Sequence, residues 1–153
     1  MDFLFEKDYS LEQMMPLIKE CLAMGKTVKF CPRGTRMLPM IRQGVDSVVV
    51  SAVPEKLNKF DLPLYQRKNG QYVLHRIVEA GETYTCIGDN QFELEKGLQH
   101  DQMIAVMVAF TRGNKLYSAE DASYRFYCRF WHYSRPIRHF WRRGIGWLRR
   151  HLK

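Results

Sequence analysis

The chain has only four cysteines, Cys21, Cys31, Cys86 and Cys128, and none stands in C-x-x-C spacing. That excludes the usual zinc-knuckle and dithiol readings and points to reduced thiols. Long apolar runs are missing too. The longest, residues 103–110, is far short of the roughly 20 residues that a membrane-spanning helix needs. No charged start, apolar centre and small-residue cleavage site marks a signal peptide, so the expectation is a cytoplasmic protein. His100, His132, His139 and His151 lack metal-ligand spacing with Cys or acidic partners, and neither a metal nor a cofactor is expected. Internal repeats and low-complexity linkers are lacking as well.

Acidic residues are absent from one stretch only. Residues 124–153 carry nine of the chain's 24 Lys and Arg and no Asp or Glu, which leaves 15 bases to set against all 16 acids in residues 1–123. The net charge of +8 therefore belongs to the tail, and an anionic partner has to be argued from that tail alone. The chain's 153 residues, 46% of them hydrophobic and 13% aromatic, suffice for one folded domain with appendages.

Ser10-Leu11-Glu12-Gln13 has the form of a capping box. Leu11, Met14, Met15, Ile18 and Leu22 follow at helical spacing, with Gly25 as a stop and Pro16 expected to kink or divide the helix. After Gly25 the period changes. Short strands are predicted at 28–30, 46–50, 62–67, 72–79, 83–87 and 103–111, parted by turn residues of which Asn69-Gly70 is the strongest hairpin signal. Short strands without intervening helices predict a mainly β fold, antiparallel and partly barrel-like. The predicted division is an N-terminal helical segment over 1–26, a β-domain over 27–117 and a basic aromatic helical tail over 118–153.

In the tail, Tyr124, Tyr127, Cys128 and Trp131 recur at helical spacing until Pro136 interrupts. A second pattern then places Ile137, Phe140, Trp141, Ile145, Leu148 and Leu152 on one face. Arginines occupy most of the other. A basic amphipathic helix edged by tryptophan suits an anionic bilayer surface, and the expected membrane-binding residues are Trp131, Arg138, Trp141, Arg142, Arg143, Trp147, Arg149 and Arg150. Gly144 and Gly146 lower helix propensity by about 1 kcal/mol each, so this helix is expected to need the surface in order to form. Folding back onto the β-domain would bury the same stripe, and nucleic acid is the lesser alternative partner.

Three short strings stand in a telling order. Arg33-Gly34-Thr35-Arg36-Met37-Leu38-Pro39 resembles the Gly-x-Ser-Met-x-Pro signature of the signal peptidase I and LexA-like serine peptidases. His75-Arg76-Ile77-Val78 resembles the base-bearing strand of that superfamily's serine/histidine branch, and Gly88-Asp89-Asn90 its last conserved box. The resemblance spans residues 27–113 and implies a small soluble bacterial member with the partly barrel-like peptidase fold. It implies His75 as general base, Asp89 as the group that orients it, and Gly34, Thr35, Met37 and Pro39 around the substrate and oxyanion. Arg36 departs from the pattern, because it stands at the nucleophile position and has no lone pair with which to attack. Thr35 and Cys31 are the nearby alternatives, Thr35 expected to point away and Cys31 to lie in the core. Asp46, beside Gly44 and Val45, falls near a further Gly-Asp pair of the family with one residue inserted.

The expectation is thus a serine endopeptidase domain, inactive or impaired as written, whose partner is an extended peptide or leader segment. It is expected in the cytoplasm, peripheral on the inner membrane surface if the tail docks there. A peptide-binding pseudopeptidase is one alternative. A membrane- or nucleic-acid-binding protein working through its tail is another.

Overall fold

A computed structural model describes residues 3–4, in backbone only, and 9–152; Lys153 of the basic tail lies outside them. Helix α1, Leu11–Ala23, begins at the capping box: Gln13 N–H donates to Ser10 Oγ at 3.2 Å and Ser10 N–H to Gln13 Oε1 at 2.8 Å. It closes at Gly25, where φ of 74° lets the N–H groups of Gly25 and Lys26 turn back to the carbonyls of Leu22 and Cys21. Pro16 does not divide it. The proline forgoes one bond, to the Glu12 carbonyl, and buried Met14, Met15, Ile18, Cys21 and Leu22 hold the helix on the sheet.

The strands are β1 (Phe3–Leu4), β2 (Val28–Phe30), β3 (Val48–Ala52), β4 (Pro63–Gln66), β5 (Tyr72–Leu74), β6 (Arg76–Ala80), β7 (Tyr84–Ile87), β8 (Glu95–Leu98), β9 (Met103–Arg112) and β10 (Lys115–Ser118). One curled sheet runs β1-β2-β3-β9-β4-β5 with β10 beside β9, and β6-β7-β8 form a second. Every described pairing is antiparallel except β1 with β2. Val48, Val49 and Val50 are buried in succession because β3 is central and covered on both sides. Asn69-Gly70 turns β4 into β5 as expected, with Gly70 N–H on the Arg67 carbonyl at 2.9 Å.

Two expectations change. The segment predicted as one strand over 72–79 is two, broken at His75, where the chain leaves the large sheet and enters the small one. "Mainly β" also overstates the sheet, since helix and strand take nearly equal shares, 31% and 29%. The C-terminal helices α2 (Ala122–Tyr133) and α3 (Arg135–His151) make up the difference.

The segmentation at residue 118 shifts as well. Tyr124 and Cys128 of α2 are buried in the same apolar cluster as α1, β2, β3 and β9, so α2 is part of the core rather than of an appended tail. Helix α3, by contrast, contributes no buried residue. It runs unbroken through Gly144 and Gly146. Among the described residues, no helix is long and apolar enough to cross a membrane.

Candidate functional site

The loop between β2 and β3 carries Arg36. Gly34 takes φ of 94°, a left-handed conformation that other residues adopt only with strain, and this turns the chain at the start of the motif. Beyond it Met37, Met40 and Ile41 are buried and anchor the loop from below. Arg36 itself is exposed and forms no ion pair with any described residue.

Residues 88–90 clasp this loop from the side. Asn90 N–H donates to the Arg36 carbonyl at 2.8 Å, its amide Nδ2 to the Thr35 carbonyl at 3.1 Å, and Asp89 N–H to Met37 Sδ at 3.5 Å. Gly88 is needed for that approach: a Cβ there would stand 2.7 Å from the Arg36 carbonyl oxygen, inside any tolerable contact.

Gly34, Thr35, Arg36, Met37 and His75 all line one groove of about 590 Å³, walled by α1 and by Tyr72, Val73 and Leu74 of β5. Two strings 39 residues apart in the chain therefore meet in one cavity. Pro39 does not line it; its carbonyl accepts from Arg112 Nη1 at 2.7 Å. Thr35 is exposed. Cys31 is not a core residue as expected but a half-buried part of the groove wall, its Sγ 3.2 Å from Ser47 Oγ.

His75 is 3% exposed, which disfavours its charged form. Burial drives the imidazole down to about 4; Glu95 pulls it up, Arg67 and Arg36 press it down, and Asp89 raises it slightly. At neutral pH it is an uncharged base. Nδ1 lies 3.4 Å from the Tyr65 hydroxyl, and Nε2 is buried with no partner among the described residues. Tyr65 in turn donates to Glu95 Oε2 at 3.1 Å, and Arg67 holds both oxygens of that carboxylate. Burial would raise the Glu95 carboxyl, yet the Arg67 and Tyr65 hydrogen bonds outweigh it and keep the group ionised.

Asp89 does not orient His75 in this structure. Its carboxylate faces the neighbouring residue: Arg76 Nε donates to Oδ1 at 2.8 Å and Nη2 to Oδ2 at 2.9 Å, with both side chains fully enclosed. The alternation of side chains about β6 explains this, since consecutive residues point to opposite sides. Tyr127 Oη donates to Asp89 Oδ2 at 2.9 Å and Trp131 Nε1 to its carbonyl at 2.7 Å. Arg76 Nη1 adds the Phe60 carbonyl at 3.1 Å and Tyr124 Oη at 2.7 Å. Burial works against the Arg76 charge, Asp89 more than offsets it, and its pKa stands well above the ordinary value. The pair is a structural rivet under α2. Asp89 forms no ion pair with Arg36.

Asp46 has a comparable duty at the far end of the loop. It accepts from Arg42 N–H, Nε and Nη2 and from Gly113 N–H, all within 3.0 Å. Burial raises its carboxyl, but these bonds prevail and hold it at about 2.

The expected membrane residues divide. Trp131 is spent on Asp89 and covered by the Arg138 guanidinium 3.6 Å from its ring centre, so these two belong to the α2–α3 junction. Trp141, Arg142, Arg143, Trp147, Arg149 and Arg150 stand on exposed α3, with Arg142 near the Phe92 ring. The remaining histidines rest on aromatic rings: His100 on Tyr84, His132 on Phe60, His139 on Phe92 and His151 on Trp147.

Comparisons were made with the family models, the curated proteins and the solved structures. None gives a match. The functional reading therefore rests on the residues and their geometry.

Sequence inspection missed Tyr65, Arg67 and Glu95. The only available signal was a tyrosine and an arginine two residues apart on a predicted strand, because Glu95 lies 28 residues further on.

Proposed function

We propose that this chain is a serine-peptidase-like protein of the signal peptidase I and LexA-like kind, which grips an extended peptide in the groove and, with Arg36 at the nucleophile position, does not cut it. The observation that carries the reading is that Arg36 and His75 line one groove while Asn90 clasps the Arg36 loop beside it. A serine at position 36 would supply the missing chemistry: its Oγ would attack the peptide carbonyl carbon, and the imidazole would take the hydroxyl proton and return it to the leaving amine. Arginine supplies neither lone pair nor proton exchange.

Strand addition suits the groove. Among the described residues β5 pairs only with β4, at the end of its sheet, and β5 lines the groove. An extended segment laid against that free edge gains main-chain hydrogen bonds. The test is labelling with a serine-reactive peptide probe. The parent is expected to stay unlabelled, Arg36→Ser to be labelled, and Arg36→Ser with His75→Ala to lose the label. A folded Arg36→Ser protein that stays silent would overturn the peptidase-site reading and leave a binding groove.

A second reading concerns α3, whose apolar face is uncovered: Ile137, Phe140, Trp141 and Leu152 are each 64–80% exposed. Phe126, Phe130 and Tyr133 continue that exposure on α2. With arginines beside the apolar residues and no acid in either helix, the surface fits an anionic bilayer, each base near it contributing about 1 kcal/mol. The full chain should sediment with phosphatidylglycerol-containing vesicles and not with neutral ones, and Phe140→Ser with Trp141→Ser should abolish this. Equal binding to neutral vesicles, or binding to RNA alone, would refute it.

A further inference from the structure

Resting on the same groove, we propose that Tyr65, held by Glu95 and Arg67, is the positioning residue for His75, in the place that sequence resemblance gives to Asp89. It fixes the imidazole as the Nδ1–H tautomer and reserves Nε2 as the acceptor for a donor brought by the groove's occupant.

The number of hydrogens available decides the tautomer. A tyrosine hydroxyl has a single hydrogen to donate. Glu95, ionised and locked on both oxygens by Arg67, can only accept. Tyr65 therefore gives its hydrogen to Glu95 at 3.1 Å. What remains toward His75 is the phenolic oxygen, an acceptor 3.4 Å from Nδ1. Nδ1 must then carry the imidazole proton, and Nε2 keeps its lone pair.

Two further observations agree. Nε2 is the ring nitrogen left without a partner among the described residues, and His75 lines the groove into which a partner can come. A buried polar atom without a partner is rare in a folded protein and marks a place where a partner is to come. The chain Arg67–Glu95–Tyr65–His75 is drawn from β4 and its flank, from β8 and from the β5–β6 break, so three segments join in the support of one ring. Burial and Glu95 push the Cys86 thiol up to about 12, so it adds no second anion beside Glu95. Asp89 is occupied by Arg76, Tyr127 and Trp131 and has no hydrogen bond to His75.

The tautomer is read directly from the long-range proton–nitrogen correlations of the His75 ring in the nitrogen-15-labelled full chain at neutral pH. The parent is expected to show a protonated Nδ1 and a bare Nε2. Glu95→Ala frees the Tyr65 hydrogen for Nδ1 and should switch the ring to Nε2–H. Tyr65→Phe removes the acceptor and should give a mixture of the two forms. A parent ring protonated at Nε2, or variants that both keep the parent pattern, would overturn the proposal.

The chemical arm uses Arg36→Ser. A positioned general base contributes about 10²–10⁴ in rate, so Tyr65→Phe in that background should slow probe labelling by about tenfold or more. A silent Arg36→Ser protein with the Nδ1–H ring refutes the peptidase reading alone. A labelled one with the Nε2–H ring refutes the Tyr65 proposal alone.

Discussion

Asp89→Asn should lower the stability of the fold by about 3–5 kcal/mol, the usual result of stripping the partner from a fully buried charge. Among the described residues the carboxylate is the only one in an ion pair with Arg76, and that side chain is 1% exposed, so water cannot replace what the amide fails to supply. Tyr127 and Trp131 draw α2 onto the same residue, and loosening Asp89 should therefore loosen the helix along with the salt bridge. Urea denaturation would show the change as a lower midpoint. Removing both charges with Arg76→Met and Asp89→Leu should recover part of the loss, because no ion is then left unpaired. The Phe60 carbonyl and the two tyrosine hydroxyls still lose their partner, which limits the recovery. A single variant within about 1 kcal/mol of the parent would mean that the pair is not sealed from water.

Acid should destabilise the protein in two separate windows. His75 has its pKa lowered on folding, from 6.5 to about 4. The unfolded chain therefore binds a proton more readily, and stability falls as the pH drops from about 6.5 to about 4. At 1.36 kcal/mol per unit the loss from this one ring approaches about 3 kcal/mol. Asp46 acts lower down. Its contribution is complete above the unfolded value of 3.8 and disappears as the pH falls toward about 2. His132, also lowered by burial, adds a smaller part to the upper window. Comparing the parent with His75→Gln isolates the main term: the variant should lose most of the slope between pH 6.5 and 4 and keep the lower one. An unchanged upper slope would show that the ring is already solvated.

Much of the scaffold was legible because it is written locally. Ser10 with Gln13, Asn69 with Gly70, and the valines of β3 each state their structure within a few residues. The parts that escaped notice depend on partners far away. β8 buries only Leu98 and owes its place to pairing with β7. Arg76 reads as an ordinary arginine until Asp89, 13 residues on, neutralises it in the core. At the groove the sequence named the loop and the imidazole that the structure brings together, but paired the imidazole with Asp89, which bonds Arg76 instead. A hydrogen bond between residues 65, 75 and 95 has no spacing rule to announce it. The tail was read from its periodicity alone. Helix periodicity showed two amphipathic stripes, and only packing could reveal that the first faces inward while the second does not.

The break at His75 has a mechanical side. Tyr65 belongs to the large sheet, Glu95 to the small one, and the imidazole sits on the seam where the backbone crosses between them. Sliding one sheet against the other by even an ångström would part the hydroxyl from the carboxylate or from the ring, and the proton would be free to change nitrogens. His75 is thus a gauge of the alignment of two sheets, and an occupant that wedges or draws them together would be registered as a change in which of its nitrogens is bare.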